Sequence, residues 1–257
     1  MRTRLPKPLT LVIVALLVAG CRGSLPYQGM LAADLYALAV TSFDEGAYKE
    51  AQLALDRLFI LFPSYERAPE AQLLLAETHF RQEQFVTAEA EYGYFPVRYP
   101  DHPSAADAGM GRCRSAAALS PSIQRDQEPT EEAFVLCSNV AADYPGTAAA
   151  AVTETIAEQM RVKVAEKAYS IASYYFRRHF YESSITYYET IENDYADTSW
   201  APKALLGIMK AYEQIGYQDL VEETRQKILD SYPTSEEARD LADDPAPQAA
   251  TPGGAEL

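Results

Sequence analysis

Apolar residues along this chain follow helical spacing, and alternating strand-like runs are almost absent. The segment from Ala148 to Tyr181 contains neither Gly nor Pro. Because apolar positions three or four residues apart share one helix face, we predict a single helix of about 30 residues here, roughly 45 Å long at 1.5 Å per residue. Its apolar positions are Val152, Ile156, Met160, Val164, Ala168, Ile171, Ala172 and Tyr175.

An aromatic residue followed by proline recurs along the chain, and one copy has Ala in place of Pro. A small or β-branched residue stands twelve positions before the second member of each pair. This pattern is typical of the second helix of a tetratricopeptide (TPR) hairpin, where two helices cross at the small residue. The sequence therefore predicts an all-α superhelix of five TPR-like helical hairpins. The pairs are Phe62-Pro63, Tyr99-Pro100, Tyr144-Pro145, Tyr195-Ala196 and Tyr232-Pro233, preceded by Ala51, Ala88, Ala133, Ser184 and Val221.

The predicted TPR-like domain covers residues 31–242. The third repeat is lengthened around residues 119–130, where two prolines and a polar run cannot continue a helix, so we predict a loop between its helices. The fourth repeat is lengthened by its long first helix. Residues 243–257 contain three prolines and few large apolar side chains, so we predict a disordered tail. The repeats span about 32–65, 68–102, 104–146, 148–198 and 200–235.

Basic residues precede a short apolar run at the amino terminus. Arg2, Arg4 and Lys7 come before residues 9–18, a run that is too short to span a bilayer and is typical of a secretory signal. The ending Leu-Val-Ala-Gly-Cys at 17–21 resembles a bacterial lipobox, in which cleavage precedes a cysteine that carries acyl chains such as palmitate. We predict a signal peptide at 1–20, lipidation at Cys21 and a tether at 21–30. An ordinary signal peptide cut nearby, or a membrane anchor, is the alternative.

Charge and residue types exclude several functions. The net charge of −15 argues against a nucleic-acid partner and against attraction to anionic lipid headgroups. The three histidines include no pair spaced to bind zinc, and no Gly-rich phosphate loop or nucleophile elbow is present. We predict no metal, no cofactor and no catalytic residue, and therefore no enzymatic activity.

Two further cysteines fall in the third repeat. Cys113 and Cys137 occupy facing positions on its two predicted helices. An oxidising compartment would allow a disulfide between them. Two buried free thiols that act as small apolar side chains are the alternative.

The lipobox, the five hairpins and the two lengthened repeats together resemble the BamD family, outer-membrane lipoproteins of the β-barrel assembly machinery. The resemblance covers almost the whole mature chain and rests on segments 125–134, 143–145 and 168–178. Three positions depart from the family pattern. Ala196 replaces a proline, and Met209 and Arg225 stand where small or apolar residues are usual.

The resemblance implies a non-enzymatic scaffold, anchored by lipid to the periplasmic face of the outer membrane. It also implies partners: the periplasmic POTRA region of BamA bound by the carboxyl-terminal repeats, other assembly-complex lipoproteins, and unfolded outer-membrane proteins. In this family the amino-terminal repeats are associated with recognising a carboxyl-terminal targeting segment of the substrate.

Two sets of site residues follow from helix positions. Residues on the first helix of each TPR hairpin line the groove of the superhelix, and they predict a surface that binds an extended peptide. Arg81 would pair with a carboxylate of that peptide. The alternative is that Phe43 and Phe80 pack between repeats. Aromatic and arginine residues near the end of the long helix predict the BamA interface; solvated arginines and core tyrosines are the alternative. The groove set is Tyr36, Val40, Phe43, Leu73, Phe80 and Arg81, and the interface set is Tyr174, Arg177, Arg178 and Tyr181.

Two other classes of periplasmic protein built from TPR helices are the alternative functions for this chain. Secretin or pilus pilotins and envelope coordinators lack the inserted loop and the long helix of the fourth repeat. Glycan-binding TPR lipoproteins devote large insertions to sugar-stacking aromatics, whereas Trp200 is the only tryptophan here.

Overall fold

The structure is a computed structural model that describes residues 27–243, and in this range it is all-helical. The predicted signal peptide, Cys21, most of the tether and all of the tail except Asp243 lie outside the described residues. Among the described helices, none has the length and apolar character needed to cross a membrane. The eleven helices in this range are α1 (Ala32–Asp44), α2 (Tyr48–Leu61), α3 (Ala68–Arg81), α4 (Phe85–Arg98), α5 (Ala105–Ala118), α6 (Glu128–Asp143), α7 (Ala148–Arg177), α8 (Tyr181–Asp194), α9 (Trp200–Ile215), α10 (Gln218–Ser231) and α11 (Glu236–Asp243).

The described chain forms two compact units, and the first comprises residues 27–83 with helices α1 to α3. Helices α1 and α2 form a hairpin, and Gly46 takes φ of +77° in the turn between them, a conformation that glycine adopts without a steric penalty. Small and branched apolar residues fill the space between the three helices. The buried core consists of Leu35, Ala39, Ala54, Leu55, Leu58, Ala71 and Leu75.

The second unit comprises residues 84–243 and helices α4 to α11. Hairpins α5–α6, α7–α8 and α9–α10 follow one another, and each helix packs against its neighbours in sequence, as expected for helical repeats. This arrangement confirms the predicted fold of TPR-like helical hairpins. The largest core cluster lies between α7, α8, α9, α10 and α11 and includes Ala172, Ile185, Tyr188, Ile191, Leu205, Ile208 and Ile228.

The long helix predicted for the fourth repeat is confirmed. Helix α7 contains 30 residues and begins at Ala148, where the Thr147 hydroxyl accepts a hydrogen bond from the Ala150 amide at 3.1 Å. Such a bond satisfies one of the amides that a helix start leaves without an intrahelical partner. The helix ends at Arg177, and His179 follows with φ of +62°.

The aromatic residues of the repeating pairs lie one position beyond the end of a helix. Their φ angles are between −125° and −133°. A following proline disfavours helical backbone at the residue before it, yet Tyr195 adopts this conformation before Ala196. The carbonyl of Tyr195 accepts bonds from the Thr198 amide at 3.0 Å and the Thr198 hydroxyl at 2.8 Å. A turn of local hydrogen bonds therefore ends this helix without proline.

The inserted segment of the third repeat is an ordered loop of residues 119–127. Buried Gln127 donates from Nε2 to the carbonyls of Ser122 at 3.0 Å and Arg125 at 3.2 Å, and its Oε1 accepts from Thr130 at 2.8 Å. Helix α6 begins at Glu128, before the predicted loop end, because Pro129 occupies the first turn. Proline is tolerated there, since the first helical amides have no intrahelical acceptor.

Two departures from the family pattern have structural roles. Met209 is buried in the core cluster of the second unit. The Arg225 guanidinium donates a hydrogen bond to the carbonyl of Leu241 in α11. Helix α11 was not predicted, and a cationic side chain that bonds a carbonyl near the end of a helix stabilises that end.

Candidate interaction surfaces

The six predicted groove residues lie in the first unit, and three of them take part in two contacts between an arginine and aromatic rings. At one, the Arg81 guanidinium carbon lies 5.8 Å from the ring centroid of Phe43 and 5.4 Å from that of Tyr48. One nitrogen of Arg81 lies 3.9 Å from a carboxylate oxygen of Glu77. The structure therefore brings Phe43 and Arg81 together and adds Tyr48, which the sequence reasoning missed.

At the second contact, Tyr36 meets Arg67 instead of an open surface. The Arg67 guanidinium carbon lies 4.4 Å from the Tyr36 ring centroid, and its Nη2 donates to the Tyr36 hydroxyl at 3.4 Å. Burial raises the pKa of Tyr36, and the charge of Arg67 opposes that shift. Val40, Leu73 and Phe80 are partly buried.

A cluster of aromatic rings, which we call the aromatic patch, lies near the end of α7: Tyr174, Tyr175, Phe180 and Tyr187. Tyr174, Phe180 and Tyr187 are 51%, 56% and 40% exposed. The Tyr175 and Tyr187 rings are stacked with centroids 4.8 Å apart, and Tyr174 meets Tyr175 edge-on at 5.6 Å. The Arg178 guanidinium carbon lies 6.0 Å from the Tyr174 ring centroid. Two predicted interface residues, Tyr174 and Arg178, therefore belong to one surface.

The other two predicted interface residues lie elsewhere. Tyr181 is partly buried beside Phe176, with ring centroids 5.4 Å apart, and its hydroxyl lies 2.7 Å from Nδ1 of His179. The same hydroxyl donates to Gln214 at 3.4 Å. Arg177 lines a cavity of about 360 Å³ between α7, α8, α9 and α11. The interface set is thus divided among three environments.

Tyr188 forms one wall of that cavity. Burial raises the pKa of the Tyr188 phenol to about 12. The hydrogen bond between this hydroxyl and Ser173, at 3.1 Å, favours the ionised form and opposes the effect of burial. The phenol therefore remains protonated at neutral pH.

Cys113 and Cys137 form a disulfide in the structure and are completely buried. The bond joins α5 to α6 and packs beside Phe134 and Ile156. Within residues 27–243, no group of three or more His, Cys, Asp or Glu side chains is placed to hold a metal ion.

Tyr175, Phe180 and Tyr187 are the surface residues that the sequence reasoning missed. Two tyrosine doublets offered a signal. Adjacent residues on a helix point about 100° apart, so the two members of the doublet Tyr187-Tyr188 face different directions. Tyr188 is buried, and Tyr187 consequently reaches the surface.

Comparisons with known proteins identify the family to which this chain belongs. The profile of the family described as "YfiO: Outer membrane lipoprotein" matches residues 28–229. The protein named outer membrane protein assembly factor BamD from Caulobacter vibrioides is 25% identical over 213 residues, which are 81% of this chain and 70% of that protein. BamD from Rickettsia prowazekii is 22% identical over 227 residues, 88% of this chain and 90% of that protein. The similarity to these BamD proteins confirms the resemblance seen in the sequence. Because the family profile covers most of the sequence, the chain belongs to the YfiO family of outer membrane lipoproteins.

Proposed function

We propose that this protein is an assembly factor for outer-membrane proteins and acts as a non-enzymatic scaffold. The family match over residues 28–229 carries this proposal, and the relatives named as BamD assembly factors support it. In this proposal Cys21 is lipidated and holds the chain on the periplasmic face of the outer membrane. Cys21→Ser should release the mature protein from the membrane, because acyl chains supply the attachment.

The aromatic patch is proposed to bind the POTRA region of BamA. Exposed contiguous apolar surface with a polar rim marks interaction sites, and aromatic and arginine side chains dominate the energetics of many interfaces. Tyr174 and Arg178 supply both residue types at one surface. Arg177 and Tyr181 remain part of the proposed interface at its edges.

The first unit is proposed to receive a segment of an unfolded outer-membrane protein. Arg81 lies over Phe43 and Tyr48, and its ion pair with Glu77 is long, at 3.9 Å. An exposed pair of this length contributes little stability. A carboxylate of the bound segment can therefore compete for Arg81 while apolar side chains contact Val40 and Leu73.

The first test is to purify the tagged, lipidated protein from detergent-solubilised membranes of its host and identify the co-purifying proteins by mass spectrometry. Recovery of a BamA-like barrel with POTRA domains is the expected result. Recovery of a secretin, pilus or glycan-porin component without BamA would overturn the proposal in favour of another class of TPR lipoprotein.

A second test separates the interface from the fold. The double variant Tyr174→Ala with Arg178→Glu should weaken BamA binding about tenfold or more, since truncating a hot-spot residue costs about 2 kcal/mol or more. The matched control is Tyr217→Ala with Arg125→Glu, which changes an exposed tyrosine and an exposed arginine outside the patch. Circular dichroism should show equal helicity for both proteins. Unchanged BamA affinity in a folded patch variant would refute the interface.

A further inference from the structure

The cavity between α7, α8, α9 and α11 gathers positive charge in an acidic protein. Arg177, Lys203 and Lys210 line it, whereas the chain has a net charge of −15. Within residues 27–243, none of these three side chains forms an ion pair. We call this cavity, with its three cations, the basic pocket.

One carboxylate also lines the basic pocket. Glu237 from α11 is 8% exposed, and in the described part of the chain it has neither an ion pair nor a side-chain hydrogen bond. The cations outnumber it, so the pocket retains positive charge. Because Glu237 forms no ion pair with Arg177, Lys203 or Lys210 in the described part of the chain, all three cations can pair with a ligand.

Apolar surface accompanies the charge. Tyr169 and Phe176 from α7 and Leu206 from α9 line the same cavity, together with the buried ring of Tyr188. The volume of about 360 Å³ lies within the range of small ligand sites. It therefore has room for a few side chains and not for a folded element.

We propose that the basic pocket binds an acidic segment of a partner polypeptide. Carboxylates of the segment would pair with Arg177, Lys203 and Lys210, and an apolar side chain next to them would pack against Tyr169 and Phe176. Complementary charge selects such a segment over neutral or basic ones. The inference rests on the proposed function only in that the protein acts by binding other polypeptides.

The pocket is distinct from the aromatic patch. Adjacent positions 177 and 178 point in different directions on the last turn of α7: Arg177 lines the cavity, while Arg178 lies over Tyr174. Lys203 and Lys210 belong to α9, which contributes no residue to the aromatic patch. A partner on the patch and a segment in the pocket would therefore share only Arg177, at the edge of the proposed interface, whereas Lys203 and Lys210 would contact the segment alone.

The chain carries its own optical probe of this site. Trp200, the only tryptophan, lies beside two lining residues: its ring is 4.7 Å from Nζ of Lys203 and 4.9 Å from the ring of Tyr169. Tryptophan emission depends on nearby charge and contact. Binding in the pocket should therefore change the intrinsic fluorescence of the protein.

The test is a fluorescence titration of the full mature chain in detergent with the capped peptide Glu-Asp-Phe-Glu-Asp. We expect a saturable change in Trp200 emission that weakens as salt is raised, because added ions screen charge pairs. The uncharged peptide Gln-Asn-Phe-Gln-Asn should bind about tenfold more weakly or worse. Equal binding of the two peptides would overturn the proposal.

Variants locate the binding. Lys210→Glu and Arg177→Glu should each weaken peptide binding about tenfold or more, while Arg125→Glu, on the loop of the third repeat, should leave it unchanged. Circular dichroism checks that each variant is folded. Undiminished binding by folded Lys210→Glu and Arg177→Glu would refute the site.

Two further outcomes would reassign the pocket to another anion. Full displacement of the peptide by an equal concentration of inorganic phosphate would make it a small-anion site. Binding to phosphatidylglycerol vesicles that Lys210→Glu abolishes, without peptide binding, would make it a headgroup site. Because the titration uses this protein alone, its failure would leave the BamA proposal standing, and Lys210→Glu should still co-purify BamA.

Discussion

Replacement of Gly111 by alanine should destabilise the second unit because the glycine lies against an aromatic ring. A Cβ atom at this position would lie 2.4 Å from Cε1 and 2.5 Å from Cζ of Tyr92, well inside contact distance. Tyr92 is 5% exposed, so its ring has little room to move. Gly207 stands in the same relation to Tyr188, with a closest approach of 2.5 Å, and this close approach therefore occurs twice in the unit.

The magnitude follows from two opposing effects. Overpacking a buried site costs about 1–3 kcal/mol, whereas alanine in the interior of a helix is about 0.5–1 kcal/mol more favourable than glycine. We therefore expect Gly111→Ala to lower the free energy of unfolding by about 0.5–2 kcal/mol. Urea unfolding followed by far-ultraviolet circular dichroism measures this change, and Tm should fall by about 2–4 °C for each kcal/mol.

Gly93→Ala is the matched control in the preceding helix, α4. Its added Cβ would meet the side chain of Arg112 at 3.3 Å, and this half-exposed chain can move. The control should therefore stabilise the protein by about 0.5 kcal/mol. In a Tyr92→Leu background, the cost of Gly111→Ala should shrink, because the ring that it meets is gone. If Gly111→Ala stabilised the protein as Gly93→Ala does, close helix packing would not explain the glycine.

Three further predictions concern bonds within the second unit. The disulfide spans a sequence separation of 24 residues, so the double variant Cys113→Ser with Cys137→Ser should lower the free energy of urea unfolding by about 3–4 kcal/mol. Alkylation of both cysteines in protein that has not been reduced would contradict the disulfide. The folded pKa of Tyr188 is raised to about 12, so its contribution to stability is complete below its ordinary value of 10.0 and is lost as pH rises toward 12. Tyr188→Phe should flatten this alkaline loss in unfolding measured across that range, and an unchanged slope would contradict it. Arg161 donates two hydrogen bonds from Nε and Nη2 to the Asp197 carboxylate, at 2.8 and 2.9 Å. These bonds lower the pKa of Asp197 below its ordinary value of 3.8. The pair therefore contributes to stability above pH 3.8, and this contribution is lost as pH falls through the pKa of Asp197 in the folded protein. Arg161→Ala should weaken that acid dependence, and equal acid unfolding curves for the two proteins would refute the role of the pair.

The hairpin fold was predictable because it depends on local and periodic features. Helix ends followed the aromatic pairs, since the backbone preference before proline is a property of two adjacent residues. Tyr195 is the exception, because no proline follows it. There the amide and hydroxyl of Thr198, which both bond the Tyr195 carbonyl, hold the same backbone conformation. Helix α11 lay outside the repeat pattern and was missed.

The candidate sites were less predictable than the helices. Arg177 and Arg178 are neighbours in the sequence, and position near the end of α7 suggested one shared surface for both. The structure separates them, because a single step along a helix rotates the side chain by about 100°. The basic pocket draws its residues from four helices, so no segment of the sequence contains it.

The sequence by itself determined the helical repeat, the length of α7, the positions of most helix ends and the relationship to an outer-membrane lipoprotein family. These features reside in spacing and in residue types, and they survive when each segment is considered alone. Only the tertiary structure decided which tyrosines are exposed, that Tyr36 contacts Arg67, and that Lys203 and Lys210 lie around the same cavity as Arg177. These relations depend on how one helix is rotated and packed against the next, and this is fixed by contacts between residues that are distant in the chain.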